Sequence, residues 1–211
     1  MNSKERVICS LSHQEPDRVP IDFDEDPCGI TYPAHLRLKE YLNLEWKDEE
    51  IDDFFMMRKL DERILVKFGS DFRRVTIKSK KVGSNLSKGS EGEFIDSWGI
   101  PRKVIGYYSE TTSSPLSDLK DIKELDEHPW PNADDYEDKG LKEKAIKLDE
   151  EGWAVIGDQP IGGSIFDVAW MLRGFENFMT DLYVNPGIAE AIMDRVLESQ
   201  MSLYDKLLRS V

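Results

Sequence analysis

Cations are scarce in this chain. Lys and Arg total 28 against 42 Asp and Glu, a formal net charge of −14. Phosphate backbones and anionic bilayers are bound by clustered positive charge, so the balance argues against nucleic-acid and membrane partners. Long apolar runs are missing as well. None approaches the ~20 residues that span a bilayer, and "MNSKERVICS" lacks the apolar core of a secretion signal. The expectation is a cytoplasmic protein. Cysteine is nearly absent: Cys9 and Cys28 are the only two in 211 residues. That usage fits a reducing compartment with free thiols rather than a disulfide framework. Cys9 lies among Val7, Ile8 and Leu11, which points to packing, whereas Cys28 sits in an acid-rich stretch. His13, His35 and His128 are the three histidines, and none forms a His-x-Cys pair.

What is present is enough to build a core. Five Trp, seven Tyr and nine Phe supply large buriable surfaces, and the length suits one domain. Ser3 is placed to cap a short helix carrying Val7, Ile8 and Leu11. "RVPIDF", 18–23, reads as a strand opening into the acidic loop "DEDPCG". Helices are expected over 34–44 and from Asp48 to Phe68, the second stopped by Gly69. "DFRRVTI", 71–77, is a second strand, on which Arg73 and Arg74 alternate so that at most one points inward. The polar stretch "KKVGSNLSKGSEGE" predicts a mobile loop. "EFIDSWGIPRKVIGYYSE" alternates around Trp98-Gly99 and predicts an antiparallel hairpin. Ser117 or Asp118 should cap a short helix, "HPWP" is a stiff connector holding His128, and a charged helix follows at about 134–151. "WAVIGD", 153–158, is apolar enough for a parallel strand buried on both faces. Two amphipathic helices close the chain, the last with Asn185 as cap and Pro186 at its first position. Strands separated by helices give an α/β fold with a parallel sheet.

Gly162-Gly163 lies between that last strand and a helix, where phosphate loops also sit. The Walker pattern requires a lysine, and none lies between Leu148 and Lys206. The dinucleotide fingerprint requires three glycines at GxGxxG spacing, which Gly157, Gly162 and Gly163 do not supply. Backbone amides alone can hold an anion at a helix N-terminus. The simpler reading is a tight strand-to-helix turn.

"SKERVICSLSHQEPDRVPIDF" resembles the opening of the uroporphyrinogen decarboxylase-like superfamily. There a short helix and an "EPDRVP" turn lead into the first barrel strand. "PIGGSIFDVAWMLRGFENFMTDLYVNPGIAEAIMDRV" is similar to a later block of that family, and "FGSDFRRV" and "DSWGI" fit its methyltransferase-like branches. The resemblance covers most of residues 1–211 and implies a (β/α)8 TIM barrel with its active site at the C-terminal ends of the strands. Three barrel strands and a hairpin insertion at about 91–112 are countable. The expectation is therefore an incomplete barrel, the N-terminal portion of a longer protein, whose exposed final helix would favour self-association into a homo-oligomer.

Two chemistries share the implied fold. The decarboxylase branch binds an eight-carboxylate porphyrinogen through arginines that follow the first strand, and binds the pyrrole N–H groups through an aspartate that Asp71 would match. At the arginine positions this chain reads "DEDPC". At an effective dielectric of ~20, each like-charge pair at contact range opposes binding by about 4 kcal/mol. The tyrosine expected after the glycine turn is Trp170. The methyltransferase branch moves a methyl group between a corrinoid, carried on a partner protein, and a small thiol or pterin acceptor. In its thiol-using members a His-x-Cys pair and a later Cys hold zinc, which generates the thiolate. Those ligands would lie beyond residue 211, so no metal or cofactor is expected within this chain.

Corrinoid-linked methyl transfer is the leading expectation. Uroporphyrinogen III decarboxylation to coproporphyrinogen and a non-catalytic interaction module are the alternatives. Asp22, Asp24 and Asp158, at expected strand ends, are the candidate catalytic residues. Gln159, Trp98, Phe166, Trp170 and Asp71 are the candidate substrate contacts, with core packing the simpler reading for the aromatic three.

Overall fold

The computed structural model describes residues 1–23, 29–45, 60–80, 92–106 and 108–211. In chain order the elements begin with helices α1 (Ser3–Leu11), α2 (Tyr32–Tyr41) and α3 (Glu62–Phe68), then strands β1 (Phe72–Val75) and β2 (Lys78–Ser79). Strands β3 (Glu93–Ile95), β4 (Pro101–Ile105), β5 (Tyr108–Thr111) and β6 (Tyr136–Glu137) follow. Helix α4 (Leu141–Glu150), strand β7 (Ala154–Gly157) and helices α5 (Ile165–Arg173), α6 (Phe175–Val184) and α7 (Pro186–Arg209) complete the series. The chain divides into two compact units. The first comprises Met1–Thr76, Asp138–Asp158 and Leu207–Val211, the second Ile77–Glu137 and Gln159–Lys206. Among the described residues the sheets are two- and three-stranded, and none closes into a barrel.

The first unit is built on a parallel pair. β1 runs beside β7 in the register Phe72↔Ala154 to Val75↔Gly157, and the ladder extends outward through Ala154 N–H to the Asp71 carbonyl and Asp158 N–H to the Val75 carbonyl. Period-two alternation sends Arg73 and Arg74 to opposite faces, and both are buried. Arg73 lies over the Trp153 ring at 3.7 Å and donates to Glu62. Gly157 fits here because a Cβ would come within 3.3 Å of Leu207 Cδ2.

The helices of this unit differ from expectation in their caps. Asn2, not Ser3, caps α1: its side chain accepts from Glu5 N–H, and Glu5 reaches back to Asn2 N–H. This reciprocal box satisfies two orphan amides at once. Ser3 is left free to donate to Asp71 Oδ1 at 2.9 Å. α3 is capped by Asp61 and stopped by Gly69 in the left-handed region at φ 67°. Ile64 and Leu65 face the core, whereas Phe68 at the helix end is 45% exposed and packs against Phe23. The expected start of this helix at Asp48 lies outside the described residues, as do Asp24, Cys28 and most of the loop after Lys80.

Residues 18–23, expected as a strand, form no ladder. Ile21 exchanges with Asp71: its carbonyl accepts from Asp71 N–H at 2.8 Å, while its own N–H goes to the Asp71 carboxylate at 2.8 Å. Phe23 N–H reaches the Ser70 hydroxyl. Pro20 has no N–H to offer, and the side chains of residues 70 and 71 take the donors that a neighbouring backbone would otherwise receive.

The second unit holds the antiparallel sheet β3-β4-β5, with Glu93↔Lys103 and Arg102↔Thr111 among its pairs. The turn between β3 and β4 is organised by Asp96. Its Oδ1 accepts the Trp98 and Ile100 amides and its Oδ2 the Arg102 Nε–H at 2.6 Å. Trp98 is fully buried and donates its indole N–H to the Gly162 carbonyl at 2.7 Å. The expected helix after Ser117 is instead a 3-10 segment, Ile122–Glu127, capped by Asp121. Likewise the expected helix from residue 134 begins only at Leu141, because Tyr136–Glu137 pairs with β2. Arg173, in the last turn of α5, donates to the carbonyls of Leu116, Ser117 and Leu119 and to Asp181. Gly174, at φ 87°, then breaks α5 from α6.

Burial pushes the His128 imidazole below its usual pKa, opposed by the bond from its Nε2–H to the Trp98 carbonyl at 2.8 Å. The folded form therefore binds its proton less readily than the unfolded chain, whose histidine titrates near ~6.5. This contribution to stability is present above that value and lost as pH falls through it. Denaturation midpoints should drop between about pH 7 and about pH 5, and His128→Gln should flatten that slope in the same urea titrations.

Candidate functional site at the ends of the parallel strands

Parallel α/β sheets bind ligands beyond the carboxyl ends of their strands. Among the described residues of the first unit, that end gathers four polar side chains. Alternation puts Arg74 and Thr76 on one face as β1 finishes. Asp158 follows β7 directly, and Asp22 arrives from the irregular segment beside residues 70 and 71. Arg74 Nη2 meets Asp22 Oδ2 at 2.5 Å, and Arg74 Nη1 lies 3.8 Å from Asp158 Oδ1. The three side chains are 7%, 24% and 12% exposed. Lys144 Nζ donates to the backbone carbonyl of Arg74 at 3.2 Å.

The cluster is incompletely paired. Asp22 Oδ1, Arg74 Nε and Thr76 Oγ1 are buried without a hydrogen-bond partner. A buried polar atom left so costs about 1–3 kcal/mol, and folded proteins carry few of them, so these three are the atoms of the first unit's strand end open to a further hydrogen-bond partner, water included. One arginine shared by two carboxylates leaves these three groups with a summed charge of −1.

The remaining candidates divide between the units. Asp71 stands at the opposite end of β1, fully buried, where Ser3, Arg6, Arg18 and the Ile21 amide all donate to its carboxylate. Burial alone would raise its pKa, but those donors outweigh it and hold the carboxyl below the usual range. Its oxygens are spent on protein groups. Gln159, Trp98, Phe166 and Trp170 belong to the second unit. Gln159 and Gln200 both donate to the Gly163 carbonyl. Phe166 packs edge-on against Phe178 and Trp170 against Phe175, so each aromatic has a partner of its own. Asp22 and Asp158 are thus brought together by Arg74. Arg74 and Thr76 are the residues that sequence reasoning left out, although the alternation of "RRVT" already puts them on one face.

The glycine pair behaves as a turn. Gly163 adopts φ 97°, and its carbonyl and that of Gly162 are consumed by side chains. Ser164 caps α5, its hydroxyl accepting from Asp167 N–H and donating to the Asp167 carboxylate. That carboxylate occupies the positive end of the helix, where a phosphate would otherwise be favoured.

Among the described residues no group of three His, Cys, Asp or Glu side chains could hold a metal ion, so no step through zinc is derived. Among them, too, no helix is long and apolar enough to cross a membrane. Comparison with known proteins finds no family model, no curated protein and no solved structure that matches this chain.

Proposed function

We propose that this chain belongs to the uroporphyrinogen decarboxylase-like superfamily of (β/α)8 enzymes, and that its reaction is methyl transfer between a protein-borne corrinoid and a small thiol or pterin acceptor. The observation that carries the choice of chemistry is the pairing of Arg74 with both Asp22 and Asp158. A polycarboxylate substrate needs guanidinium groups whose charge is not already spoken for. Among the described residues at this strand end, the Arg74 guanidinium is flanked by two acids, and a substrate carboxylate would meet both. An acceptor that loses an S–H or N–H proton as the methyl group arrives has the opposite requirement. Asp22 Oδ1, with no donor of its own, is a suitable base for that proton.

The test is turnover. With a methylated corrinoid and a thiol, the protein should speed loss of the Co–CH3 absorbance band, and Asp22→Asn should slow it by about 100-fold or more. Carbon dioxide release with coproporphyrinogen formation from uroporphyrinogen, or no turnover of either substrate, overturns the proposal.

A further inference from the structure

We infer that the outward face of α7, between Glu190 and Asp205, docks a basic amphipathic helix of a partner protein. The inference is independent of the proposed reaction, because it uses no residue of the strand-end cluster.

Two stripes run along this helix. Ile192, Val196 and Leu203 are fully buried and form the inward one. On the other side Glu190, Asp194, Leu197, Met201 and Tyr204 follow one another at steps of four and three, the spacing on which helices pair. Leu197, Met201 and Tyr204 are 42%, 60% and 36% exposed, where a helix with only one partner face carries polar residues. Met201, the most exposed of the three, has the adaptable side chain favoured at docking surfaces.

Charge names the occupant. From Pro186 to Lys206 the helix carries four acids, Glu190, Asp194, Glu198 and Asp205, against two cations. Both cations are already engaged. Arg195 pairs with Asp126 and reaches Glu198 at 3.4 Å, and Lys206 donates to the Ala133 and Tyr136 carbonyls. Glu190 and Asp194 stand in the seam itself. Glu198 and Asp205, each one residue past a seam position, line the flank where charge sets the choice of partner. A second copy of α7 fits poorly. Set parallel, it opposes the two seam acids to themselves; set antiparallel with the apolar three overlapped, it turns the acidic flank against itself. A helix with lysine or arginine opposite these acids, and apolar side chains opposite Leu197, Met201 and Tyr204, meets both demands.

Anisotropy titrations of labelled peptides with the 211-residue chain at low salt test this. One peptide has heptads with leucine at the seam and lysine on the flanks, its twin has glutamate for every lysine, and a third scrambles the first so that no seam remains. The first should bind saturably and about tenfold or more tightly than either of the others. Met201→Asp adds a negative charge yet should weaken that peptide by about tenfold, because it breaks the seam. Glu190→Lys combined with Asp194→Lys should reverse the preference toward the glutamate twin. The peptide comparison on the unaltered chain decides the matter even if a variant fails its melting curve. Equal binding of the scrambled peptide overturns the inference, since net charge alone would then account for the attraction. So does a lack of saturable binding by all three. A chain that sediments as a dimer until Met201→Asp is introduced also overturns it, because a second copy would then cover the seam.

Discussion

Replacing Asp71 with alanine should lower the free energy of unfolding by about 3–5 kcal/mol, the usual cost of removing one member of a buried ion pair. The carboxylate is fully buried and ties together Ser3, the Arg6 and Arg18 guanidinium groups and the Ile21 amide. Its loss leaves Asp17 as the carboxylate partner of Arg6, and removes the Ile21 amide bond and the Arg18 pair that help hold the segment 18–23 to the start of β1. Urea unfolding read by tryptophan fluorescence measures the loss directly. A change under ~1 kcal/mol, the value of a surface pair, would show that the knot adds nothing. The same residue sets an acid limit. Its folded pKa lies below the unfolded value of ~3.9, so its contribution is present above that pH and disappears as pH falls through the folded value. Asp17 and Asp61 are held low by Arg6 and Arg63 and act in the same sense. Asp71→Asn should therefore have the flatter stability profile below about pH 4.

Asp96→Ala should cost the second unit a comparable ~3–5 kcal/mol, by a mechanism that can be separated into parts. One oxygen closes the turn by accepting the Trp98 and Ile100 amides, and the other pairs with the buried Arg102. Asp96→Asn keeps an oxygen for the amides and removes only the charge partner. Arg102→Leu in that background then removes the stranded cation, and the double variant should regain most of what the alanine variant loses. If the double variant is no more stable than Asp96→Ala, the loss comes from the turn amides and not from the uncompensated guanidinium.

Local signals were legible where one residue's own chemistry decides the structure. "WAVIG" is apolar and β-branched, and it is β7. Gly69 and Gly163 stand where the backbone takes positive φ. The alternation around Trp98-Gly99 corresponds to antiparallel β3 and β4, while the third strand of that sheet was folded into the same stretch. Ser3 and Asn2 are both good capping residues, and only the three-residue spacing from Asn2 to Glu5 decides between them. The misread segment 18–23 has strand composition, but what replaces its ladder comes from Ser70 and Asp71, some fifty positions away, which no local pattern contains. The candidate site divides the same way. Asp158 follows from a strand end, whereas Asp22 rests on an expected strand that does not form, and Thr76 goes unnamed although alternation puts it on one face with Arg74. That Arg74 bridges the two acids depends on the parallel register between β1 and β7, a long-range fact.

Leu207 against Gly157 has a consequence for synthesis. The first unit is discontinuous: α1 to α3 and β1 leave the ribosome early, α4 and β7 follow after the start of the second unit, and Leu207, which packs beside Gly157, emerges last. The second unit is translated whole before the last residues of the first emerge. A nascent chain halted before Leu207 should therefore keep its earliest segments open to proteases and holdases, and a few late residues decide when they are sealed.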